Sequence, residues 1–526
     1  MMRFFNTAGP VNCQMHYCLP PLERLDLPDI LQLIAQHKYF VLHAPRQVGK
    51  TSFLLALMEY LNQQGHYHCL YCNVEVGQYA RENVAQAMQA ILGEITSRAH
   101  THLKDPFPAS IWQQLLQEHG GAALNPLLTR WAEASDKPLV LLVDEIDSLV
   151  GDTLISVLRQ LRAGYDKRPH AFPQSIILCG VRDVRDYRLL SDEGKAVVTG
   201  GSAFNIKATS LRLDDFNQTE VEALYRQHTE ETGQVFEPDA LNLTWHLTQG
   251  QPWLVNALAY EVCFELRAGR DRTQPITAAM VQEAKEAIIL RRETHLDQLV
   301  DKLKEARVRR VITPIVAGDV DPSLIPTDDI FYVRDLGLIR GDARQLTISN
   351  PIYQEIIPRE LTFSTQQTIS QEAVWYVNKD GRLDLAKLLT AFQQFFREHS
   401  EHWVERFDYK EAGPQLLMQA FLQRIVNGGG RVEREYGLGR QRTDLLVIWP
   451  YPGGQQTAVI ELKLLYRTWE QTLSDGLAQT WEYMDKTGTA EGHLIIFDRR
   501  SGRSWEERIF VRPEQHQGHP ITVWGM

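Results

Sequence analysis

The chain has 526 residues, of which 44% are hydrophobic and 23% are charged. This balance excludes a disordered or fibrous protein, and the length predicts about three or four domains, each with its own core. The net charge of −11 at pH 7 excludes wholesale coating of nucleic acid but leaves room for local basic patches.

The N-terminus lacks the features of a signal peptide, because polar residues and Pro10 interrupt it before any apolar core forms. No apolar run in the chain reaches the length needed to span a bilayer. We therefore expect a cytoplasmic protein that has no membrane partner.

The six cysteines are too few for a disulfide framework in so long a chain. Cys69 and Cys72 have the spacing of a zinc or redox pair, but they lie in a stretch that alternates like a strand. A zinc site that also draws on Cys13, His16 and Cys18 is the alternative, although no second CxxC or CxxH pair follows. We expect ordinary buried thiols.

Across residues 25–204, short apolar runs alternate with amphipathic helical patterns, which predicts an α/β domain built on a parallel sheet. Three runs have the composition of buried strands, namely Tyr39–His43, Leu139–Val143 and Ser175–Cys179. We assign residues 1–213 to this domain.

A phosphate-binding loop is predicted directly after the first strand, at the start of the first helix. It consists of Ala44, Pro45, Arg46, Gln47, Val48, Gly49, Lys50 and Thr51. Backbone N–H groups of such a loop surround the phosphates of ATP. We expect Lys50 to reach the β- and γ-phosphates and the Thr51 hydroxyl to bind Mg²⁺. Ala44 replaces the first glycine of the motif GxxxxGK[ST], which the turn tolerates if φ of Ala44 stays negative.

Acidic residues end the next buried strand, as in a Walker B segment. Asp144 is expected to hold Mg²⁺ through water, and Glu145 to orient or deprotonate the attacking water. Arg182 follows the third strand and is a candidate sensor of the γ-phosphate. The alternating Arg and Asp residues around Arg182 are equally compatible with a solvated loop of ion pairs.

Three further segments separate this domain from the C-terminal one. Residues 214–290 are predicted to form a helical lid, which is interrupted at Gly250 and Pro252. Residues 291–363 predict a winged helix, because a helical pair and a β-hairpin fit this length. Residues 364–400 have the pattern of a helical connector.

The winged-helix segment begins with a charged helix, predicted at residues 291–310, that has two interpretations. Its lysines and arginines are able to contact the phosphates of nucleic acid. Acidic residues, including Asp301 and Glu305, alternate with them at spacings near four residues, which favours a solvated helix held by ion pairs.

On these motifs, residues 1–360 resemble the AAA-like and STAND-type ATPases. The stretches Gly180–Tyr187 and Asn350–Pro358 are similar to those of bacterial ATPases in this group. The resemblance implies an ATPase that acts as a switch, and an oligomer that forms when nucleotide and a trigger are bound.

The last α/β domain is predicted at residues 401–526, where two strands, Thr443–Trp449 and Thr457–Leu464, flank a Pro- and Gly-rich turn. Because strand side chains alternate, Glu461 and Lys463 share one face.

Asp444, at the start of the neighbouring strand, is expected to meet Glu461 and Lys463. Two carboxylates and a main-chain carbonyl, which we assign to Leu462, suit Mg²⁺ or Mn²⁺. Lys463 is expected to position the metal-activated water and to stabilise developing charge. The alternative is a hairpin whose exposed face carries an ordinary ion pair.

Residues 405–500 resemble the PD-(D/E)XK nucleases, in particular the type appended to AAA-like ATPases. Asp444 matches the aspartate of that motif, Glu461 its second acid and Lys463 its lysine, whereas Thr443 replaces the proline. The resemblance implies a metal-dependent cut in nucleic acid.

Further side chains are candidates for the predicted nuclease site. Gln479 and Tyr483 lie one turn apart on the following amphipathic helix, so both can face the site. The family also carries an acid on a preceding helix. Glu411 is the nearest candidate for it, and Gln415 occupies the position where an acid is expected.

The combined expectation is an α/β protein that joins a P-loop NTPase, a helical lid, a winged helix and a nuclease domain. It would be a nucleotide-gated nuclease that uses ATP and Mg²⁺ or Mn²⁺, and the pairing of domains suggests prokaryotic defence. DNA is favoured over RNA as its partner, with a homo-oligomer on activation and a protein or nucleic-acid trigger. Two alternatives stay open: an ATP-switched scaffold whose nuclease fold only binds nucleic acid, and a recombination or repair motor.

Overall fold

A computed structural model describes residues 2–182, 188–190, 197–199, 206–291, 301–317, 325–341, 346–361, 376–406, 418, 421–422, 430–435, 444–465, 468–498, 500 and 504–526. The chain divides into two compact units, Met1–Arg291 with Arg334–Gly337, and Arg292–Val333 with Leu338–Met526. Within the described ranges, every helix is too short or too polar to cross a bilayer.

A five-stranded parallel sheet forms the centre of the first unit, in the order β2-β3-β4-β1-β7. A separate antiparallel pair, β5 and β6, lies between β4 and β7 in the sequence. The strands are β1 Tyr39–His43, β2 His68–Asn73, β3 Leu139–Asp144, β4 Ser175–Gly180, β5 Arg188–Leu190, β6 Val197–Thr199 and β7 Lys207–Arg212. The three strands predicted from apolar runs are confirmed as β1, β3 and β4.

Helices cover both faces of this sheet. They are α1 Leu27–Ala35, α2 Lys50–Gln64, α3 Val84–Arg98, α4 Phe107–His119, α5 Leu124–Ala134 and α6 Gly151–Ala163. Tyr39 packs in one hydrophobic cluster with Trp131 of α5, while its neighbour Phe40 packs in another with Leu54 of α2. Because neighbouring strand residues face opposite sides, the result is a three-layer α/β/α core.

The all-helical segment predicted after residue 213 is present as four helices. They are α7 Gln218–Thr232, α8 Pro238–Thr248, α9 Pro252–Tyr260 and α10 Ala278–Arg291. The interruption at Gly250 has a steric cause: its φ is +80°, and a Cβ there would lie 1.8 Å from the carbonyl oxygen of Phe216. Only glycine allows the turn before α9 to lie this close to the segment before α7.

One expectation about the cysteines is wrong. Cys13 and Cys18 form a disulfide with a Cα–Cα distance of 5.4 Å. The cause is a tight turn, in which the N–H groups of Met15 and His16 both donate to the carbonyl of Asn12. The other four cysteines are free and buried, as expected. The described residues contain no cluster of three or more His, Cys, Asp or Glu that would hold a metal.

The segment after the lid contains helices and a short hairpin. The elements are α11 Ala306–Ala317, α12 Thr327–Asp335, β8 Ile339–Arg340, β9 Thr347–Ile348 and α13 Pro351–Leu361. These are the parts that a winged helix requires, and that assignment stays a prediction. The single charged helix expected at residues 291–310 is wrong, because a turn at Lys304 and Glu305 precedes α11.

The C-terminal domain contains a six-stranded mixed sheet in the order β10-β11-β12-β13-β15-β14. The elements are α14 Leu385–Arg406, β10 Arg431–Glu435, β11 Asp444–Tyr451, β12 Gly454–Leu464, α15 Trp469–Thr487, β13 Gly492–Phe497, α16 Trp505–Arg508, β14 Phe510–His516 and β15 His519–Gly525. The predicted hairpin is confirmed as β11 and β12.

The boundary expected at residue 400 cuts a continuous helix. Phe392 of α14 packs in one hydrophobic cluster with Leu445, Phe497 and Trp524 of the sheet, and Tyr376 belongs to the same cluster. The part of the expected connector from residue 376 onward therefore belongs to the C-terminal core. The sequence pattern did not show that this helix belongs to the C-terminal domain, because the strands against which its apolar face packs come later in the chain.

Candidate functional site

The predicted phosphate loop lies at the carboxyl end of β1. The Ala44 N–H donates to the carbonyl of Gly180 at 3.3 Å, which extends the pairing of β1 with β4 into the loop. Positive φ angles occur at Gln47, 59°, and Gly49, 105°, and Ala44 is not among the residues with positive φ. Alanine therefore fits the first position of this loop without strain.

Lys50 is the buried cation of the loop, with 5% of its surface exposed. Its Nζ donates to the carbonyls of Ala44 and Pro45, each at 2.9 Å. Gly49 precedes α2 and has no side chain, so the first N–H groups of α2 receive no side-chain cap. This arrangement presents an ammonium group and free N–H groups to an anion.

The end of β3 meets the start of α2 at Asp144, which is fully buried. Asp144 Oδ2 accepts hydrogen bonds from the Thr51 hydroxyl at 2.7 Å and from the Tyr71 hydroxyl at 3.0 Å. Asp144 Oδ1 accepts from the Glu145 N–H at 2.9 Å. A hydroxyl and a carboxylate held side by side are the hard oxygen donors that Mg²⁺ prefers, so these residues fit that ion.

Glu145 adopts a left-handed backbone conformation, with φ at 55°. A non-glycine residue in this region costs about 1–3 kcal/mol and is typical of functional sites. Burial raises the pKa of the Glu145 carboxyl, with Lys50 acting in the opposite direction. A carboxyl held next to the loop cation in this way can take a proton from water.

Arg182 is half-buried and lies two residues beyond β4, at the same edge of the sheet as Ala44. Residues 183–187, which include the rest of the Arg and Asp alternation, lie outside the described residues. The structure brings Arg182 to the correct edge for a phosphate sensor, and that role stays a prediction.

Tyr71 is a residue of this site that the sequence did not predict. It is buried on β2, and its ring lies 5.0 Å from the Arg98 guanidinium. Its position on a strand next to β3 could have indicated this role. That position depends on the strand order, which the sequence does not give.

Ion pairs hold four basic residues of the predicted winged-helix segment. Asp329 of α12 pairs with Arg310 at 2.6 Å and with Arg307 at 3.3 Å. Lys302 pairs with Glu305, and Lys304 with Asp301, each at 2.7 Å. These contacts support the ion-paired interpretation of this charged segment over phosphate binding.

In the C-terminal sheet, the backbone of Asp444 lies directly opposite that of Glu461 in the antiparallel ladder. Glu461 is fully buried, Lys463 is 7% exposed, and the Lys463 ammonium makes an ion pair with Glu461. Leu462 packs in the cluster on the opposite face. The side chain of Asp444 lies outside the described residues.

Helix α15 covers the sheet face that carries Glu461 and Lys463. Its Tyr483 packs in one cluster with Val459, which precedes Glu461 by two residues on β12. Gln479 is half-buried, and its Oε1 is a buried oxygen that accepts no hydrogen bond from any described residue. Thr443, Glu411 and Gln415 lie outside the described residues.

The parallel α/β sheet, the loop after β1 and the carboxylates after β3 define a P-loop ATPase core. Residues 23–358 match the AAA-like domain family, so the chain belongs to that family. No curated protein matches it.

Several solved structures are similar to part of the chain. A Walker-type ATPase of Pyrococcus abyssi is 14% identical with a TM-score of 0.44, over 67% of this chain and 99% of that one. RuvB of Thermotoga maritima is 15% identical with a TM-score of 0.35, over 64% and 94%. Cdc6p of Pyrobaculum aerophilum is 14% identical with a TM-score of 0.35, over 77% and 93%. Likenesses this weak carry no argument about function.

Proposed function

We propose that the chain is an ATP-controlled, metal-dependent nuclease that acts in prokaryotic defence. The observation that supports ATP hydrolysis is the contact between Thr51 and Asp144, which joins the phosphate loop to the end of β3. The observation that supports nuclease chemistry is the register of β11 and β12, with Asp444 opposite Glu461 and Lys463 two residues further.

In the ATPase, Lys50 would leave the carbonyls of Ala44 and Pro45 and donate to the β- and γ-phosphates. Bound Mg²⁺ neutralises phosphate charge. Thr51 and Asp144 would hold this ion, and Glu145 would orient the attacking water. These roles are supported by the positions of the four residues, which follow β1 or lie at the end of β3.

In the nuclease, Asp444, Glu461 and the Leu462 carbonyl would hold Mg²⁺ or Mn²⁺. Such an ion lowers the pKa of a bound water and shields the scissile phosphate. Lys463 would have to release Glu461 and turn toward the water. Gln479, whose buried oxygen accepts no hydrogen bond from the described residues, would orient the water or the phosphate.

The ion pair between Lys463 and Glu461 also favours a second candidate function. A carboxylate neutralised by lysine has less attraction for a metal, so the domain would bind nucleic acid without cutting it. In that case the chain would be an ATP-switched oligomeric scaffold, or a motor in recombination or repair. In either case the proposed partners are nucleic acid, with DNA favoured, further copies of the chain, and a protein or nucleic-acid trigger.

Cleavage assays separate these functions. Purified protein is incubated with plasmid, single-stranded DNA and RNA, with Mg²⁺ or Mn²⁺, with and without ATP. The variants are Asp444→Ala and Glu461→Gln, and the control is Asp475→Asn, which changes an exposed carboxylate on α15. We expect cleavage by wild type and by the control alone.

The other outcomes are equally informative. Metal-dependent cleavage that survives in Asp444→Ala would place the activity elsewhere or in a contaminant. Binding of DNA without cleavage, equal in wild type and Glu461→Gln, would favour the scaffold. Sustained ATP hydrolysis that DNA stimulates, without any cleavage, would favour the motor.

A further inference from the structure

Arg24 contacts both the phosphate loop and the segment that leads to the lid. It ends the short helix Pro21–Arg24 before α1. Its Nη1 donates to the carbonyl of Val48 at 3.0 Å, and its Nη2 donates to the carbonyl of Asp214. The guanidinium also lies 4.5 Å from the ring centre of Phe216. One side chain therefore joins two backbone segments that are far apart in the sequence.

The segment held by Arg24 is itself fixed to the lid. The Phe216 N–H donates to the carbonyl of Gly250 at 2.9 Å. A Cβ at Gly250 would overlap the Phe216 carbonyl, so the backbones of these two residues are in close contact. We therefore expect a shift of residues 214–216 to move the turn between α8 and α9 with it.

The chemistry of the contact requires arginine. A planar guanidinium can donate to two carbonyls and lie on an aromatic ring at the same time, whereas an ammonium cannot do all three. Burial lowers the pKa of the Arg24 guanidinium, and the nearby charges of Glu220, Asp215 and Asp214 act in the opposite direction. A cavity of about 460 Å³, lined by Arg24, Asn217 and Glu220 among others, gives the side chain room to move without repacking the core.

Val48 is the point at which nucleotide would act on this contact. Its peptide lies between Gln47 and Gly49, the two loop residues with positive φ. Phosphates order the N–H groups of this segment, and the orientation of the adjoining carbonyls is fixed with them. We therefore expect phosphate binding to change the position of the Val48 carbonyl, because this carbonyl shares a peptide unit with the Gly49 N–H.

We propose that Arg24 is a positioning residue that couples nucleotide binding in the phosphate loop to the lid, through residues 214–216 and the turn at Gly250. The inference rests on the proposed ATP binding and adds the route by which the lid responds. Coupling of this kind means that nucleotide has different affinities for the two lid positions, typically by a factor of ten or so.

The test is amide hydrogen exchange of the full chain with and without Mg²⁺ and a slowly hydrolysed ATP analogue. The Phe216 amide reports the bond to Gly250 directly. Arg24→Gln removes the charge and the guanidinium that makes all three contacts. Arg24→Lys keeps the charge in case the first variant does not fold. The control is Glu23→Gln, an exposed neighbour on the same short helix. Titration gives the affinity of each protein for the analogue.

We expect the analogue to change exchange at Phe216 in wild type and in Glu23→Gln. In Arg24→Gln the analogue should still bind, with affinity altered about ten-fold, and the response at Phe216 should be lost. Arg24→Lys should show a reduced response. A response of wild-type size in either Arg24 variant would overturn the coupling. Failure of wild type to bind the analogue would instead reject the proposed function from which the coupling follows.

Discussion

The Thr51 hydroxyl donates to Asp144 Oδ2 at 2.7 Å, although 93 residues separate the two in the sequence. Strand β4 lies between β1 and β3 in the sheet, so the contact is made above the sheet edge rather than between neighbouring strands. Asp144 thereby receives donors from the phosphate loop, from Tyr71 on β2 and from its own neighbour Glu145. Its orientation is set before any metal binds.

Tyr71→Phe tests this orientation. The change removes one donor to a buried carboxylate and keeps the ring that lies beside Arg98. We expect the free energy of unfolding to fall by about 1.5–3 kcal/mol, the range for a hydrogen bond to a charged group. The Mg²⁺ concentration that half-saturates ATP hydrolysis should rise, while ATP binding without Mg²⁺ stays unchanged.

The control for this change is Tyr39→Phe, which removes a buried hydroxyl that donates to the carbonyl of Pro173. It should cost stability and leave the Mg²⁺ requirement as it is in wild type. An identical Mg²⁺ requirement in Tyr71→Phe would show that Thr51 and Glu145 suffice to position Asp144.

Lys50→Ala should strongly weaken ATP binding, because it removes the side-chain cation expected to reach the β- and γ-phosphates. The change also opens space at a buried position. Lys50→Met fills that space with an uncharged chain, so the two variants separate charge from packing. Titration of ATP measures the effect. If both variants bind ATP with wild-type affinity, the assignment of the phosphate loop is wrong.

Glu145→Gln should bind ATP normally and hydrolyse it slowly, because glutamine keeps the shape and lacks the base. Glu145→Gly should also lose hydrolysis but gain about 1 kcal/mol of stability, since glycine adopts the left-handed conformation without strain. Single-turnover hydrolysis and thermal unfolding check the two effects. Undiminished hydrolysis by the glutamine variant would assign the base elsewhere.

Gly250→Ala should destabilise the chain by roughly 2–5 kcal/mol, the sum of left-handed strain and overpacking against Phe216. Gly233→Ala is a matched control, because Gly233 has a similar φ of +78° and nothing lies within 4 Å of its Cβ position. It should cost only about 1–2 kcal/mol. Chemical unfolding measures both, and equal losses would remove the steric explanation for Gly250.

Three strands of the first sheet are recognisable in the sequence as continuous apolar runs, and these three are buried on both faces. β1, β3 and β4 are continuous apolar runs because helices cover them on each side. β7 was missed because it lies at the edge of the sheet, and its residues Lys207–Arg212 include no apolar run. A strand is detectable when burial gives its sequence an apolar pattern. The edge strand β2 is mostly buried and has such a pattern, whereas the partly exposed edge strand β7 does not.

Contacts between segments that are distant in the sequence could not be predicted from the sequence. Tyr71 and Arg24 belong to no motif, and their roles depend on the strand order and on the path of the chain before α1. The phosphate loop and the residues after β3 were predictable, because their chemistry requires fixed residue types at fixed places on strand ends. The motifs therefore predicted the candidate site, and only the tertiary structure revealed the residues that contact it.

The last prediction concerns control of the proposed nuclease by the ATPase. An unrestrained nuclease would damage its own host, so the chain has reason to stay inactive until nucleotide and trigger are present. Control of this kind requires nucleotide to bind the active and inactive arrangements with different affinity, typically by about 1–3 kcal/mol. Lys50→Ala should then change the rate of cleavage, although Lys50 has no role in the nuclease site. Glu145→Gln, held with ATP bound, should change it in the opposite direction.

Cleavage is measured for wild type, Lys50→Ala and Glu145→Gln in the same metal buffer, with and without ATP. Tyr39→Phe serves as the control, because it perturbs the core of the ATPase sheet without touching the phosphate loop. A change in the control as large as in Lys50→Ala would attribute the effect to lost stability. Equal cleavage by all four proteins would mean two independent activities on one chain, because a nucleotide that biases neither arrangement cannot control the cut.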